Sequence, residues 1–163
     1  MKTCVVQRVG AGLGPGLLLA GLLAASVGAG PAAASDPVAV NTGYFGNVAI
    51  EGYDTVAYFT EHKAVKGSEE YSYEWLGASW HFASDEHRKL FEADPISYAP
   101  QFGGLCAEGM AYNEMTVNIE PEAWQIIDGK LYITAGAQFV EDMRAIRPRA
   151  EENWPKVEAV LSH

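Results

Sequence analysis

The sequence predicts a small α+β domain behind an export signal. Three observations predict it: an early apolar stretch that thins into small residues, two runs alternating large with small side chains, and several short stretches of helical period. The hairpins and short helices come without the alternating βαβ units of a nucleotide-binding sheet.

Lys2 and Arg8 give the first residues a positive charge and no acid, which holds an N-terminus on the cytoplasmic side during export. The apolar core is densest over residues 17–25, and the stretch ends in Ala32-Ala33-Ala34, the small side chains that a signal peptidase accepts. A retained anchor competes with this reading, because residues 9–34 are long enough to span a bilayer. Pro15, Pro31 and the repeated glycines each weaken a helix interior. Residues 1–34 therefore read as a signal peptide cut after Ala34. Cys4 lies too early for lipoprotein acylation, and no twin-arginine pair is present, so the general export route is expected. The expected location is periplasmic or secreted, within or beyond a bacterial envelope, with no stable membrane insertion after cleavage.

Charge and cysteine usage then exclude whole classes. The chain has 21 acidic against 11 basic residues, a net charge of −10, and losing Lys2 and Arg8 makes the mature form more acidic still. Such a surface repels phosphate backbones and anionic headgroups, which excludes nucleic acid and peripheral membrane as partners. Of the two cysteines, Cys4 leaves with the signal and Cys106 is left without a mate, so no disulfide staples the fold. The mature length suits one domain with a core, not two.

Residues 35–50 read as an extended lead-in rich in Gly, Pro and Asn, followed by the domain at 51–163. Asp54 reads as the cap of a short helix containing Val56 and Phe59. Residues 71–82 alternate aromatics with small or polar residues about Leu76-Gly77, which predicts a hairpin. Ser84 caps a helix from Asp85, with Leu90 and Phe91 on its inner face, until Asp94-Pro95 stops it. A second hairpin joins residues 123–127 to 130–134 through Asp128-Gly129, the pair favoured in a tight two-residue turn. From Gln138 the pattern is helical, with Phe139, Met143 and Ile146 in step, until Arg147-Pro148 interrupts it; a last helix is expected around Trp154 to Leu161.

Taken together, Gly52-Tyr53-Asp54-Thr55-Val56-Ala57-Tyr58-Phe59, the stretch 73–84, and the stretch 91–107 ending in Gly103-Gly104-Leu105-Cys106-Ala107 resemble the YHS-domain family, specifically its secreted bacterial members. Glu122-Ala123-Trp124, residues 128–132 and Asn153-Trp154-Pro155 extend the likeness over nearly all of the mature chain. The resemblance implies an α+β fold with helices at its C-terminal end and a metal-associated role, since YHS domains occur beside heavy-metal-transporting ATPases. It also implies two thiol positions that this chain fills with Ala57 and Ala83, neither able to ligate a metal. In the secreted members the position of Cys106 can be selenocysteine, which implies thiol or selenol chemistry there.

Cys106 follows a glycine-rich turn and opens a short helix, an environment that favours thiolate. One route from it is a soft-metal site, copper being the natural ion, in which Cys106 and Met110 share a helix face and His81 and His87 complete the set. Glu108, Met115 and Tyr98 would surround that site. A second route is thiol redox or thiol sensing, which would need an external thiol because no resolving cysteine exists. The third is packing, the commonest fate of a free cysteine. His81, between Trp80 and Phe82, is expected on the opposite face of its hairpin, and His87 is expected to be exposed on its helix. Glu108 and Glu114 read as a solvated face, and Tyr98, Tyr112, Trp124 and Tyr132 as core or pocket wall. No phosphate loop, Ser-His-Asp arrangement or zinc spacing occurs in the sequence.

The expectation is thus a non-catalytic binding module for a soft metal ion at Cys106, its partner a metal ion or another envelope protein. Thiol-redox work at Cys106 is one alternative. The other is a small-ligand or protein-interaction domain in which Cys106 only packs and Tyr71, Trp75 and Trp80 line the recognition surface.

Overall fold

The computed structural model describes residues 40–44, 46–112 and 118–161. The chain divides into Met1–Ala34 and Ser35–His163, and every described residue belongs to the second unit. Residues 1–34, expected to be an export signal, the start of the expected lead-in, Glu114, Met115 and His163 lie outside the described residues.

Two antiparallel hairpins and a set of mostly short helices make the α+β domain. After a 3-10 turn at Ala49–Gly52 come α1 (Ala57–Thr60), β1 (Ser68–Trp75), β2 (Ala78–Phe82), α2 (Asp85–Ala93) and α3 (Pro95–Tyr98). A second 3-10 turn at Gln101–Gly104 leads to α4 (Ala107–Ala111), β3 (Trp124–Ile127), β4 (Lys130–Ile133), a third 3-10 turn at Ala137–Phe139 and α5 (Met143–Leu161).

Both hairpins turn where the sequence places them. Leu76-Gly77 and Asp128-Gly129 all have positive φ, the left-handed pair that matches the twist of the flanking strands. In the first hairpin Tyr73 faces Trp80 and Trp75 faces Ala78, with an irregularity between Ser68 and Ser72. Gly67 borders that irregularity, and a side chain there would collide with the backbone of His81. Along β2 burial alternates: Ala78, Trp80 and Phe82 point inward while Ser79 and His81 are half-buried. Ser84 caps α2 by accepting from His87 N at 3.2 Å, and Asp94 caps α3 in turn.

Among the described residues two apolar clusters form the core. The first gathers Ile50, Tyr58, Trp80, Phe82 and Phe91 around the first hairpin. Phe91 is its hub, with ring centres of Trp80 at 4.8 Å, Phe82 at 5.1 Å and Trp75 at 5.6 Å. The second cluster packs Phe102, Leu105, Met110, Tyr132, Met143 and Ala150 between α4, the second hairpin and α5.

The C-terminal helix departs from expectation. It runs unbroken from Met143 to Leu161 through both Pro148 and Pro155. Each proline removes one backbone donor, a cost that tertiary packing offsets here. Met143, Ala150 and Asn153 are buried, and the Asn153 amide donates to the carbonyls of Met110 at 3.1 Å and Ala111 at 3.3 Å.

Candidate functional site

Among the described residues three places concentrate the side chains that could carry chemistry; of the sequence-derived site residues His87 lies in the first and Cys106, Met110 and Glu108 in the second. The first is the corner where α1, the end of β2 and α2 meet. Asp54 sits there with no exposed surface and accepts four hydrogen bonds. One carboxylate oxygen takes Val56 N at 2.9 Å and Ala57 N at 3.2 Å, the helix-capping role its position suggests. The other takes Ala83 N at 2.8 Å and pairs with His87 Nδ1 at 2.6 Å. His87 Nε2 lies 3.3 Å from the Thr60 hydroxyl, which itself donates to the carbonyl of Val56.

His87 is therefore not the exposed helix residue that its place in the sequence suggests. Its side chain keeps only 13 % of its surface and is held at both nitrogens. Ala57 and Ala83, the two positions that the family resemblance marks as thiol positions, both donate their backbone N–H to Asp54. A carboxylate and an imidazole tie together the corner that those positions flank. Beside it, the Thr55 hydroxyl is buried without a hydrogen-bond partner among the described residues.

The second place is Cys106. It precedes α4 as its cap residue and is 1 % exposed, with a free thiol. Met110 is fully buried within the second cluster, and its N–H bonds the Cys106 carbonyl at 3.1 Å. The histidines expected to complete a metal set are engaged elsewhere: His87 with Asp54, and His81 on the partly exposed face of β2 opposite Ser72. Tyr98 packs against the first cluster, its ring 5.5 Å from that of Phe59 and perpendicular to it. Glu108 is half-buried in the first turn of α4. Among the described residues no three of His, Cys, Asp and Glu come together as a metal would require.

The third place is a cavity of about 180 Å³. Trp75 and Trp80 of the first hairpin line it, with Phe102 and Gly103 of the second 3-10 turn, Trp154 of α5 and Ile96 of α3. Val40, Leu76, Ala99, Pro100 and Gln101 complete the wall, and apart from the indole N–H groups Gln101 carries the one polar side chain among the described lining residues. Two aromatic pairs take part: Trp75 with Trp80, ring centres 5.6 Å apart, and Phe102 with Trp154, also 5.6 Å apart.

The turn carrying Phe102 is strained. Phe102 has φ 59° and Gly103 φ 62°, and a bulky residue in the left-handed region costs about 1–3 kcal/mol. Surrounding contacts hold it there. Asn41 donates its backbone N–H to Gly103 O at 2.8 Å and its side-chain amide to Gly104 O at 2.9 Å. Ile50 lies so close over Gly104 that any side chain at that position would collide with it.

Of Tyr71, Trp75 and Trp80, which one expectation groups on a recognition surface, Trp75 and Trp80 line the cavity and Tyr71 does not; Phe102, Trp154 and the backbone that presents them were not foreseen there. The Gly103-Gly104 pair was the available signal, since consecutive glycines mark a backbone outside ordinary regions.

Residues 56–102 match the family model of the YHS domain. No curated protein and no solved structure matches the chain.

Proposed function

We propose that this chain, which carries a YHS domain over residues 56–102, works as a non-catalytic binding module that takes a small apolar group into the Trp75–Trp80–Phe102–Trp154 cavity. The observation that carries the reading is a preformed aromatic cavity whose wall includes a bulky residue in left-handed backbone. Strain of that kind persists only where the surroundings enforce it, and it clusters at binding sites. At about 180 Å³ the cavity is smaller than the roughly 300 Å³ at which drug-sized sites begin, so it suits a head group or one side chain. Titration with 3,3-dimethylbutan-1-ol, followed by calorimetry, tests this. Saturable binding lost in Ala99→Leu, with far-UV dichroism unchanged, supports the reading, and no binding by the unaltered chain contradicts it.

A second reading, soft-metal handling at Cys106, draws on the YHS match. The thiol is buried at 1 % exposure, so a copper ion would reach it only after a local opening. Anaerobic Cu(I) titration against a competing chelator decides it: stoichiometric binding abolished in Cys106→Ser puts this reading first. Export is likewise a proposal, resting on residues 1–34, and mass spectrometry of the exported protein should find Ser35 at its N-terminus.

A further inference from the structure

We infer that the aromatic cavity selects a quaternary ammonium head group; the inference rests on the cavity reading above and deepens it. Three tryptophans and a phenylalanine wall a space of about 180 Å³, and among the described residues no Lys, Arg or His lines it. An aromatic face carries negative quadrupole charge and attracts a cation held within about 6 Å of the ring centre. These rings are contributed by β1, β2, the 101–104 turn and α5, so they are separate walls and not one flat stack.

Among the described residues no carboxylate lines the cavity, which narrows the class of cation. A Lys-type ammonium or a guanidinium must keep several N–H groups hydrogen-bonded, and among the described lining residues Gln101 offers the one side-chain acceptor. A quaternary nitrogen has no N–H to satisfy and presents only methyl groups, so aromatic and aliphatic walls suit its whole surface. Long-range charge acts in the same direction. The chain's net charge of −10 raises the local concentration of cations and repels anions.

The strained turn supplies rigidity. Phe102 is buried to 6 % exposure, and its backbone is fixed through the bonds from Asn41 to Gly103 and Gly104, so one wall is set before a ligand arrives.

The test compares choline with 3,3-dimethylbutan-1-ol, which has the same shape without the charge, on the full chain by calorimetry. Choline should bind about tenfold tighter, as cation–π contacts in a desolvated site imply. Trp154→Leu should erase that preference while keeping the neutral alcohol, because leucine preserves apolar contact and removes the ring face. Trp75→Leu serves the same purpose if Trp154→Leu does not fold. Equal affinity for the two probes in the unaltered chain would overturn the cation inference and leave the cavity reading standing. Failure of both probes to bind would overturn both.

Discussion

The corner around Asp54 and the segment around Cys106 are both buried, and both contain the residues to which the sequence draws attention. They differ in how polarity is handled. At the corner a carboxylate with no exposed surface is satisfied by three backbone donors and His87, so a charge is tolerated because every acceptor site is used. Around Cys106 the problem is avoided: the thiol, Met110, Ala107 and Ala111 are all buried apolar groups. Reactive side chains are thus enclosed in both regions, by hydrogen bonds at the corner and by apolar packing around Cys106. The cavity differs from both, because it leaves aromatic surface available to a ligand.

The sharpest break of this comparison is Asp54→Ala. It strands the donors of Val56, Ala57, Ala83 and His87, and unfolding in urea should show a loss of about 3–5 kcal/mol. A loss below about 1 kcal/mol would mean that water replaces the carboxylate and that the corner is not a structural tie.

At Cys106 the expected effect is smaller and depends on polarity. Cys106→Ser places a hydroxyl in an apolar site and should cost about 1–3 kcal/mol, whereas Cys106→Ala should cost less. The native thiol should react with a disulfide reagent only at the rate of local opening. Rapid labelling would mark an accessible thiol and favour the redox alternative.

Alkaline titration sharpens the contrast within the second cluster. Burial, and then the hydrogen bond that Tyr132 donates to Glu151 at 2.9 Å, push the Tyr132 phenol up to about 12. A phenol raised in the folded state favours the fold while it is protonated. Its contribution is therefore complete below pH 10, the unfolded value, and is lost as pH rises through about 12. Tyr132→Phe should flatten stability across that window. Tyr58, raised chiefly by its own burial, acts in the same direction, so a residual slope should remain.

The smallest change has the opposite sign. Thr55→Val removes a buried hydroxyl that has no partner among the described residues and should raise stability by about 1 kcal/mol. A loss instead would indicate an ordered water serving that hydroxyl.

Local chemistry made much of this fold legible. Asp128-Gly129 and Leu76-Gly77 announce their turns, and Ser84 and Asp94-Pro95 bound α2, because each signal acts within a few residues. The capping role of Asp54 was readable for the same reason. Its bond to His87, 33 residues away, was not, since it depends on how α2 docks against the end of β2. The continuity of α5 through Pro148 was hidden likewise, because packing by Met143, Ala150 and Asn153 overrides a local preference. The cavity was the least legible feature. Its wall draws on residues from Val40 to Trp154, and no single segment carries its pattern.

The chain's four tryptophans offer the most direct test of the central claim that this cavity is the binding site. Trp75, Trp80 and Trp154 line it, while Trp124 packs elsewhere, against Tyr58 at 5.1 Å. We would follow the four indole N–H signals by ¹H–¹⁵N NMR during titration with 3,3-dimethylbutan-1-ol. Saturable shifts of the Trp75, Trp80 and Trp154 signals, with Trp124 unmoved, are the expected result. Unmoved signals for all four, or a response confined to Trp124, would contradict the claim.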